Sequence, residues 1–425
     1  MKKLGSLLVL LISLTASAQS DFDIAQEFMS KKGVTLKDNP SKTRGEKKPY
    51  SVFNGENNKG FAIVVNGCVV GYDTENTANE DDLPCCLKEI LLENYSKTIN
   101  PSKTRGDYTP DWWEPRDIEP IEPLVTSHWS QTSPYNDLLE KKTGICTLVA
   151  WCQLLHYFRN PRLFGKNDEQ VGDTIYVNIV DSIGNIVGID NSEDLKKEIF
   201  YHSIPVPVVS FNHDLILDRY DSNSSEEERN EVAKLFYYYT LVQSGRKYTV
   251  SYLGELLFDS HAGRWEDYLG FHKEGNYYEK EGEEKGLYYY YDKYLEQKYP
   301  FWESGGNHAY VVDGRDSEGR YHVNWGWGSG ADGYYVFPDT KEQGKLYKED
   351  ENRNSYISCN TTCVPILIYP IKFSWTPPTA NIDTRSITLS PKDGSIYNLQ
   401  GIKVGNSLEG LPKGVYIQGG KKYVK

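Results

Sequence analysis

Residues 305–335, GGNHAYVVDGRDSEGRYHVNWGWGSGADGYY, constrain the fold of this chain more than any other stretch. AYVV and YHVNW are runs of β-forming residues, and DGRDSEG between them supplies the glycine and aspartate that a tight reversal needs. The stretch therefore reads as an antiparallel hairpin, and a sheet has to be built around it. A hairpin centred on Asp316 sets His308 opposite Asn324. Opposed residues hold their Cβ atoms about 4.5–5.5 Å apart, so the Asn324 amide would reach the ring and fix its tautomer. The plain alternative is a histidine satisfied within a strand, one of eight in the chain. Two neighbours argue against it. Gly305-Gly306 leaves room for another backbone to approach, and Trp325 would shield the amide from water.

A nucleophile for that imidazole stands upstream, in KKTGICTLVAWCQLLHYFRNP. Residues 147–158 are apolar almost all round, the pattern of a buried helix, and Asn160-Pro161 ends it. Cys146 then sits at the helix N-terminus, where unpaired N–H groups and the dipole favour a thiolate. Cys152, further along the apolar run, reads instead as a small core residue. Gln131, fifteen residues before Cys146, offers a side-chain amide that would form an oxyanion hole with the Cys146 backbone N–H. Gln, Cys, His and Asn in that order form a papain-type constellation for acyl transfer through a thioester.

These motifs resemble those of the streptopain family of cysteine peptidases. Trp129-Ser130-Gln131 and Pro134-Tyr135-Asn136 are similar to the family's WNQ…PYN block. Residues 143–157 are similar to its nucleophile block, TGCVATAxAQxxxYH, with Gln153 at the family's spacing after the cysteine. Residues 306–314 and 321–328 are similar to GGHAFVxDG and FHVNWGWGG, and 224–239 to a middle helix; the likeness runs from about residue 50 to 340. The resemblance implies an α+β, papain-like fold, with a helical face carrying Cys146, an antiparallel β-sheet face carrying His308 and Asn324, and a cleft between. It implies Cys146 as nucleophile and His308 as the base that later protonates the leaving amine. Asn324 would orient the ring, Gln131 would line the oxyanion hole and Trp325 would cover Asn324. No cofactor is implied. The substrates would be proteins or peptides with an apolar side chain two residues before the scissile bond, and the chain's own prodomain would act as an intramolecular inhibitor.

Two departures stand beside the nucleophile. Ile145 intervenes between Gly144 and Cys146, where the family has glycine directly before its cysteine, and the residues after Cys146 are bulkier. They motivate a second reading, a catalytically impaired relative that binds proteins through its aromatic surface. A third is an acyltransferase that uses the same Cys-His pair on a small acyl donor.

A net charge of −13 argues against nucleic acid or an anionic membrane as partner. Lys2-Lys3, an apolar run and Ala16-Ser17-Ala18 read as a signal peptide over residues 1–18, which implies secretion or display at the cell surface. No later segment is apolar for long enough to make a stable membrane span. Residues 19–105 read as a small α/β prodomain, 106–370 as the catalytic domain and 381–425 as a β-rich tail that resembles the sorting tails of secreted Bacteroidetes proteins. NPSKTRG occurs at 39–45 and again at 100–106, which makes Arg105-Gly106 the expected maturation cut. DTIYVNIVDSIGNIVGID reads as a hairpin, DYTPDWWEPRDIEPIEP as an arm along the surface, and GNYYEKEGEEKGLYYYYDKY as a surface flap. Seven cysteines leave at least one free thiol, and Cys359 and Cys363 would pair with each other or with Cys152. The cysteines lack the full ligand set of a metal site.

Overall fold

The computed structural model describes residues 20–38, 48–84, 87–88, 90–96, 110, 113–139, 143–165, 168–182, 199–244, 265–274, 287–305, 308–337 and 366–377, and in the tail 396–398, 403–405, 415–418 and 421–424. The expected signal peptide, both NPSKTRG copies, Cys85, Cys86, Cys359, Cys363 and the first part of the expected flap lie outside these residues. Met1–Trp375 form one compact unit and Thr376–Lys425 another.

Helix α1 (Asp21–Ser30) starts at a capping box: the Ser20 hydroxyl accepts from the Asp23 N–H and the Asp23 carboxylate accepts from the Ser20 N–H. Its apolar face packs on β1 (Tyr50–Asn54), β2 (Phe61–Val65) and β3 (Cys68–Asp73), an antiparallel meander. Asn66 and Gly67 join β2 to β3, both at positive φ as a two-residue hairpin turn requires. Helix α2 (Cys146–Tyr157) is buried on every side from Leu148 onward, as an all-round apolar run demands. Strand β4 (Thr174–Ser182) pairs with β5 (Ile199–Pro207). GNIVGID, the second half of the expected hairpin, lies outside the described residues. Helix α3 (Glu226–Ser244) opens on a second capping box, between Ser225 and Glu228. Strand β6 (Phe271–Glu274) is followed by α4 (Leu287–Glu296). The tyrosine-rich end of the expected flap is thus a helix. Tyr290, Tyr291, Tyr294 and Leu295 lie on one buried side of it, because positions three and four apart fall together on a helix.

Strands β7 (Phe301–Gly305), β8 (His308–Arg315), β9 (Tyr321–Asn324) and β10 (Gly333–Tyr335) complete a seven-stranded sheet in the order β1-β2-β3-β10-β9-β8-β7. Strands from residues 50–73 and from 301–335 therefore share one sheet. Strand β8 alternates between its faces: Ala309 and Val311 join the core around α2 and α3, while Tyr310 and Val312 join the core around α4. Strand β11 (Leu367–Pro370) pairs with β6. The 376–425 unit holds a separate four-stranded antiparallel sheet of β12 (Ile396–Asn398), β13 (Lys403–Gly405), β14 (Val415–Gln418) and β15 (Lys421–Val424).

The β8–β9 hairpin forms, but in a different register. Val311 faces Asn324 and Arg315 faces Tyr321, with a bulge between Val312 and Gly314. His308 faces Gly305 on β7, so it does not oppose Asn324. The cause is the turn. The Asp316 carboxylate accepts from the N–H groups of Glu318 and Arg320, and the Asp316 N–H donates to the Arg320 carbonyl. That aspartate-anchored reversal is centred two residues beyond Asp316. The expected surface arm is also held in. Trp113 and Ile121 are buried, and Ile121 bridges Arg315.

Candidate active site

Gly144, at φ +67, turns the chain into α2, and Ile145 precedes the first helical residue without a side-chain cap. The N–H groups of the first turn are thereby left for another acceptor. The Ile145 side chain is buried in the core, and its N–H donates to Gln131 Oε1 at 2.8 Å. The additional residue before Cys146 is absorbed by a left-handed glycine and a buried side chain, and it ties Gln131 to the foot of the helix. Asn136 Nδ2 fixes the Gln131 backbone by donating to its carbonyl at 3.1 Å. Oε1 of Gln131 is thus committed to the residue that precedes Cys146.

Cys146 is the first residue of α2 and a free, half-buried thiol. Burial pushes it up, but the hydrogen bond and charge of His308, with the backbone N–H groups of Ala309 and Thr147, more than offset this and bring it down to about 7. His308 is buried, and its Nε2 lies 2.8 Å from the Trp325 carbonyl oxygen. A carbonyl only accepts, so Nε2 carries the proton and donates, which leaves Nδ1 for the thiol. The Trp327 indole stands edge-on to the ring, centroids 6.0 Å apart. Trp325 is held in turn by Asp332 Oδ1, which accepts from its backbone N–H at 2.8 Å, and by the Ala331 carbonyl, which accepts from its indole N–H at 3.1 Å.

Asn324 does not orient the ring. Its Nδ2 donates to the Ser127 carbonyl at 2.8 Å, and its Oδ1 accepts from the Gly326 N–H at 3.0 Å. The register of β8 against β9 carries the amide away from His308, and the carbonyl of the next residue makes the orienting contact instead. The structure thus brings Cys146, His308 and the Trp325 carbonyl together, ties Gln131 to the residue before Cys146, and commits Asn324 to Ser127 and Gly326. Sequence reasoning missed the Trp325 carbonyl and the Ala309 N–H, backbone groups that no residue type announces. It also missed Trp327, for which the repeated Gly-Trp of NWGWG was an available signal. Cys152 is a fully buried free thiol pushed up by burial, which fits its reading as a core residue and removes the alternative that paired it with Cys359 or Cys363. Among the described residues, no three His, Cys, Asp or Glu side chains are grouped to hold a metal ion.

A lowered thiol on a helix end, facing a sheet-borne imidazole with a fixed tautomer, is equipped to add sulfur to an electrophilic carbonyl. Fold and site together define the papain-like α+β class. The peptidase C10 family model matches residues 129–335, so this stretch of the chain is similar to that family. Streptopain of Streptococcus pyogenes is 48% identical over 48 residues, which cover 10% of this chain and 12% of streptopain. A fragment of prointerpain A from Prevotella intermedia shares the fold with a TM-score of 0.51 at 20% identity, over 80% of this chain and 99% of that one. Among the described residues, no helix is long and apolar enough to cross a membrane.

Proposed function

We propose that this protein is a secreted cysteine endopeptidase made as a zymogen. The observation that carries the proposal is the hydrogen bond between Cys146 and His308, with the far nitrogen of the ring tied to the Trp325 carbonyl. In this reading the Cys146 thiolate attacks the substrate carbonyl carbon. The developing oxyanion is met by the Cys146 backbone N–H and the Gln131 NH2. The His308 imidazolium protonates the leaving amine, and the neutral ring then takes a proton from water, which hydrolyses the thioester. Trp325 orients the ring through its carbonyl, and Asn324 holds the segment that Trp325 belongs to. Residues 1–18 serve as signal peptide, 19–105 as prodomain, 106–370 as the catalytic domain and 381–425 as a C-terminal tail. Substrates are proteins or peptides with an apolar side chain two residues before the cut.

The test is thiol labelling of the secreted protein with iodoacetamide, mapped by mass spectrometry, alongside hydrolysis of unfolded casein. Labelling at Cys146 faster than at any other cysteine, lost in His308→Ala, together with casein cleavage, is the expected result. Labelling at Cys146 no faster than at Cys359, with no cleavage, would favour the protein-binding reading. Sequencing the N-terminus of the secreted protein tests the cut at Arg105-Gly106.

A further inference from the structure

The face of α2 that presents Cys146 continues through Val149 and Gln153, three and seven residues further on. That face meets the turn at residues 324–326. A Cβ on Gly326 would lie 2.9 Å from Val149 Cγ1 and 3.8 Å from Gln153 Oε1, so the backbone passes hard against the helix. Gln153 Nε2 donates to the Ser127 carbonyl at 2.9 Å, and Asn324 Nδ2 donates to the same carbonyl at 2.8 Å. One buried oxygen, using both lone pairs, joins the helix that carries the thiol to the strand end whose next residue holds the imidazole.

Stability alone does not account for Gln153. It is fully buried, and among the described residues its Oε1 has no partner. A buried amide met at one end only is worse for folding than an apolar side chain of the same size. A position that breaks this rule beside a reactive centre fits a demand for geometry.

We propose that Gln153 is a positioning residue: with Asn324 it clamps the Ser127 carbonyl and so fixes Cys146 relative to His308. The catalytic consequence rests on the peptidase reading; the clamp itself does not. Removing the Gln153 donor leaves the Ser127 carbonyl still bonded to Asn324, so no polar group is orphaned in the partner.

The test compares Gln153→Met, Asn324→Ala, their double variant and Leu154→Ala, a fully buried neighbour on α2 outside the clamp. Three quantities are read: melting temperature, the pH profile of Cys146 alkylation by iodoacetamide, and kcat against KM on a casein-derived peptide. Gln153→Met is expected to melt at or above the wild type while its alkylation inflection moves up from about 7. Its kcat should fall by about 10- to 100-fold with KM within about twofold, as for a misplacement of the reacting groups. Leu154→Ala should melt lower with the inflection in place. In kcat, adding Gln153→Met to Asn324→Ala should cost little more than Asn324→Ala alone, whereas the Ser127 carbonyl, then without either donor, should lower the melting temperature further. An unchanged inflection and kcat in Gln153→Met, a parallel fall of melting temperature and activity in Gln153→Met and Leu154→Ala, or additive losses of kcat in the double variant would each overturn the clamp. Alkylation needs no substrate, so a wild type that cuts no casein counts against the peptidase reading alone.

Discussion

Gly326→Ala probes the contact between the nucleophile helix and the turn that holds the imidazole. Gly326 sits at φ +65, in the left-handed region, where a side chain costs roughly 1–2 kcal/mol. Its new methyl would also stand 2.9 Å from Val149 Cγ1, an overpacking that costs about 1–3 kcal/mol. The two add to about 2–5 kcal/mol, a large share of the roughly 5–15 kcal/mol that holds a domain folded. A backbone shift that relieves the clash would move the Trp325 carbonyl, 2.8 Å from His308 Nε2, so activity should fall as well. Val149→Ala separates the two contributions. It opens the space the methyl needs but leaves φ unchanged, so the double variant should recover the overpacking share, a coupling of about 1–3 kcal/mol. Denaturant unfolding of the four proteins gives the cycle, and casein hydrolysis gives the activities. A loss below about 0.5 kcal/mol in Gly326→Ala, the range of ordinary surface changes, or a double variant with no recovery would show that Gly326 is not wedged against α2.

Four further outcomes follow from the site and its support. Alkylation of Cys146 should be half-maximal near pH 7; in His308→Ala the burial that raises the thiol remains while the imidazole is gone, so the inflection should pass above the ordinary thiol value of about 8.5. The sign for stability is that of any lowered acid: the Cys146–His308 contribution is present above the unfolded thiol's pKa and is lost as pH falls through about 7, which pH-dependent unfolding of wild type against Cys146→Ala will read. Burial lowers His322, but Asp313 at 2.6 Å, with Asp73 and Asp332, raises it above the ordinary histidine value. Its contribution is therefore full below that ordinary value and lost as pH rises through the raised one; Asp313→Asn should cost about 3–5 kcal/mol at pH 6 and remove that fall, and an unchanged pH slope would refute the pairing. Gln131→Ala should lower kcat by about 100- to 1000-fold with KM little changed, whereas a rise in KM alone would assign Gln131 to substrate binding.

What was legible in the sequence is what depends on residue type and local spacing. The α2 segment is apolar all round, and only a buried helix satisfies that. Cys146, His308 and Gln131 stand out as candidates because few side chains suit such chemistry. The opposition of His308 and Asn324 was not legible, because the turn centre is set by the Asp316 carboxylate on two backbone N–H groups and the bulge by Asp313. Asp313 accepts from the Val125 N–H at 2.9 Å and pairs with His322. Contacts of that kind leave the alternation of strand residues unchanged while moving the register. The residue that orients the ring acts through a carbonyl, which every residue owns. Residues 287–296 concealed their helix because the charged run before them reads as surface. Ile145 looked disruptive next to Cys146, yet Gly144 and a place in the core accommodate it.

The continuous sheet decides what a cut at Arg105-Gly106 would release. Strand β3 pairs with β10 through Tyr72 with Tyr334 and Gly71 with Tyr335, and the Val336 N–H donates to the Val70 carbonyl at 3.1 Å. The Tyr72 hydroxyl donates to Asp316 at 2.8 Å, and the buried Arg320 guanidinium lies over Phe28 and Tyr72 at 5.0 and 5.7 Å. Each such cation–π contact contributes about 0.5–2 kcal/mol. Asn76 and Thr77 reach further, onto the loop behind Trp325: Asn76 donates to the Asp332 carbonyl at 3.3 Å and the Thr77 carbonyl accepts from the Ala331 N–H at 3.0 Å. None of these contacts depends on the covalent link between residues 96 and 110. Protein nicked at Arg105 is therefore expected to elute from a sizing column in native buffer as one species holding both pieces, and to separate only in denaturant. Tyr72→Phe with Arg320→Leu should lower the denaturant concentration at which the pieces part. Because Asp332 also accepts from the Trp325 N–H, stripping the N-terminal piece should shift the pH profile of Cys146 alkylation. A nicked protein that sheds its N-terminal piece in native buffer, with Cys146 reactivity unmoved, would refute both the docking and its link to the site.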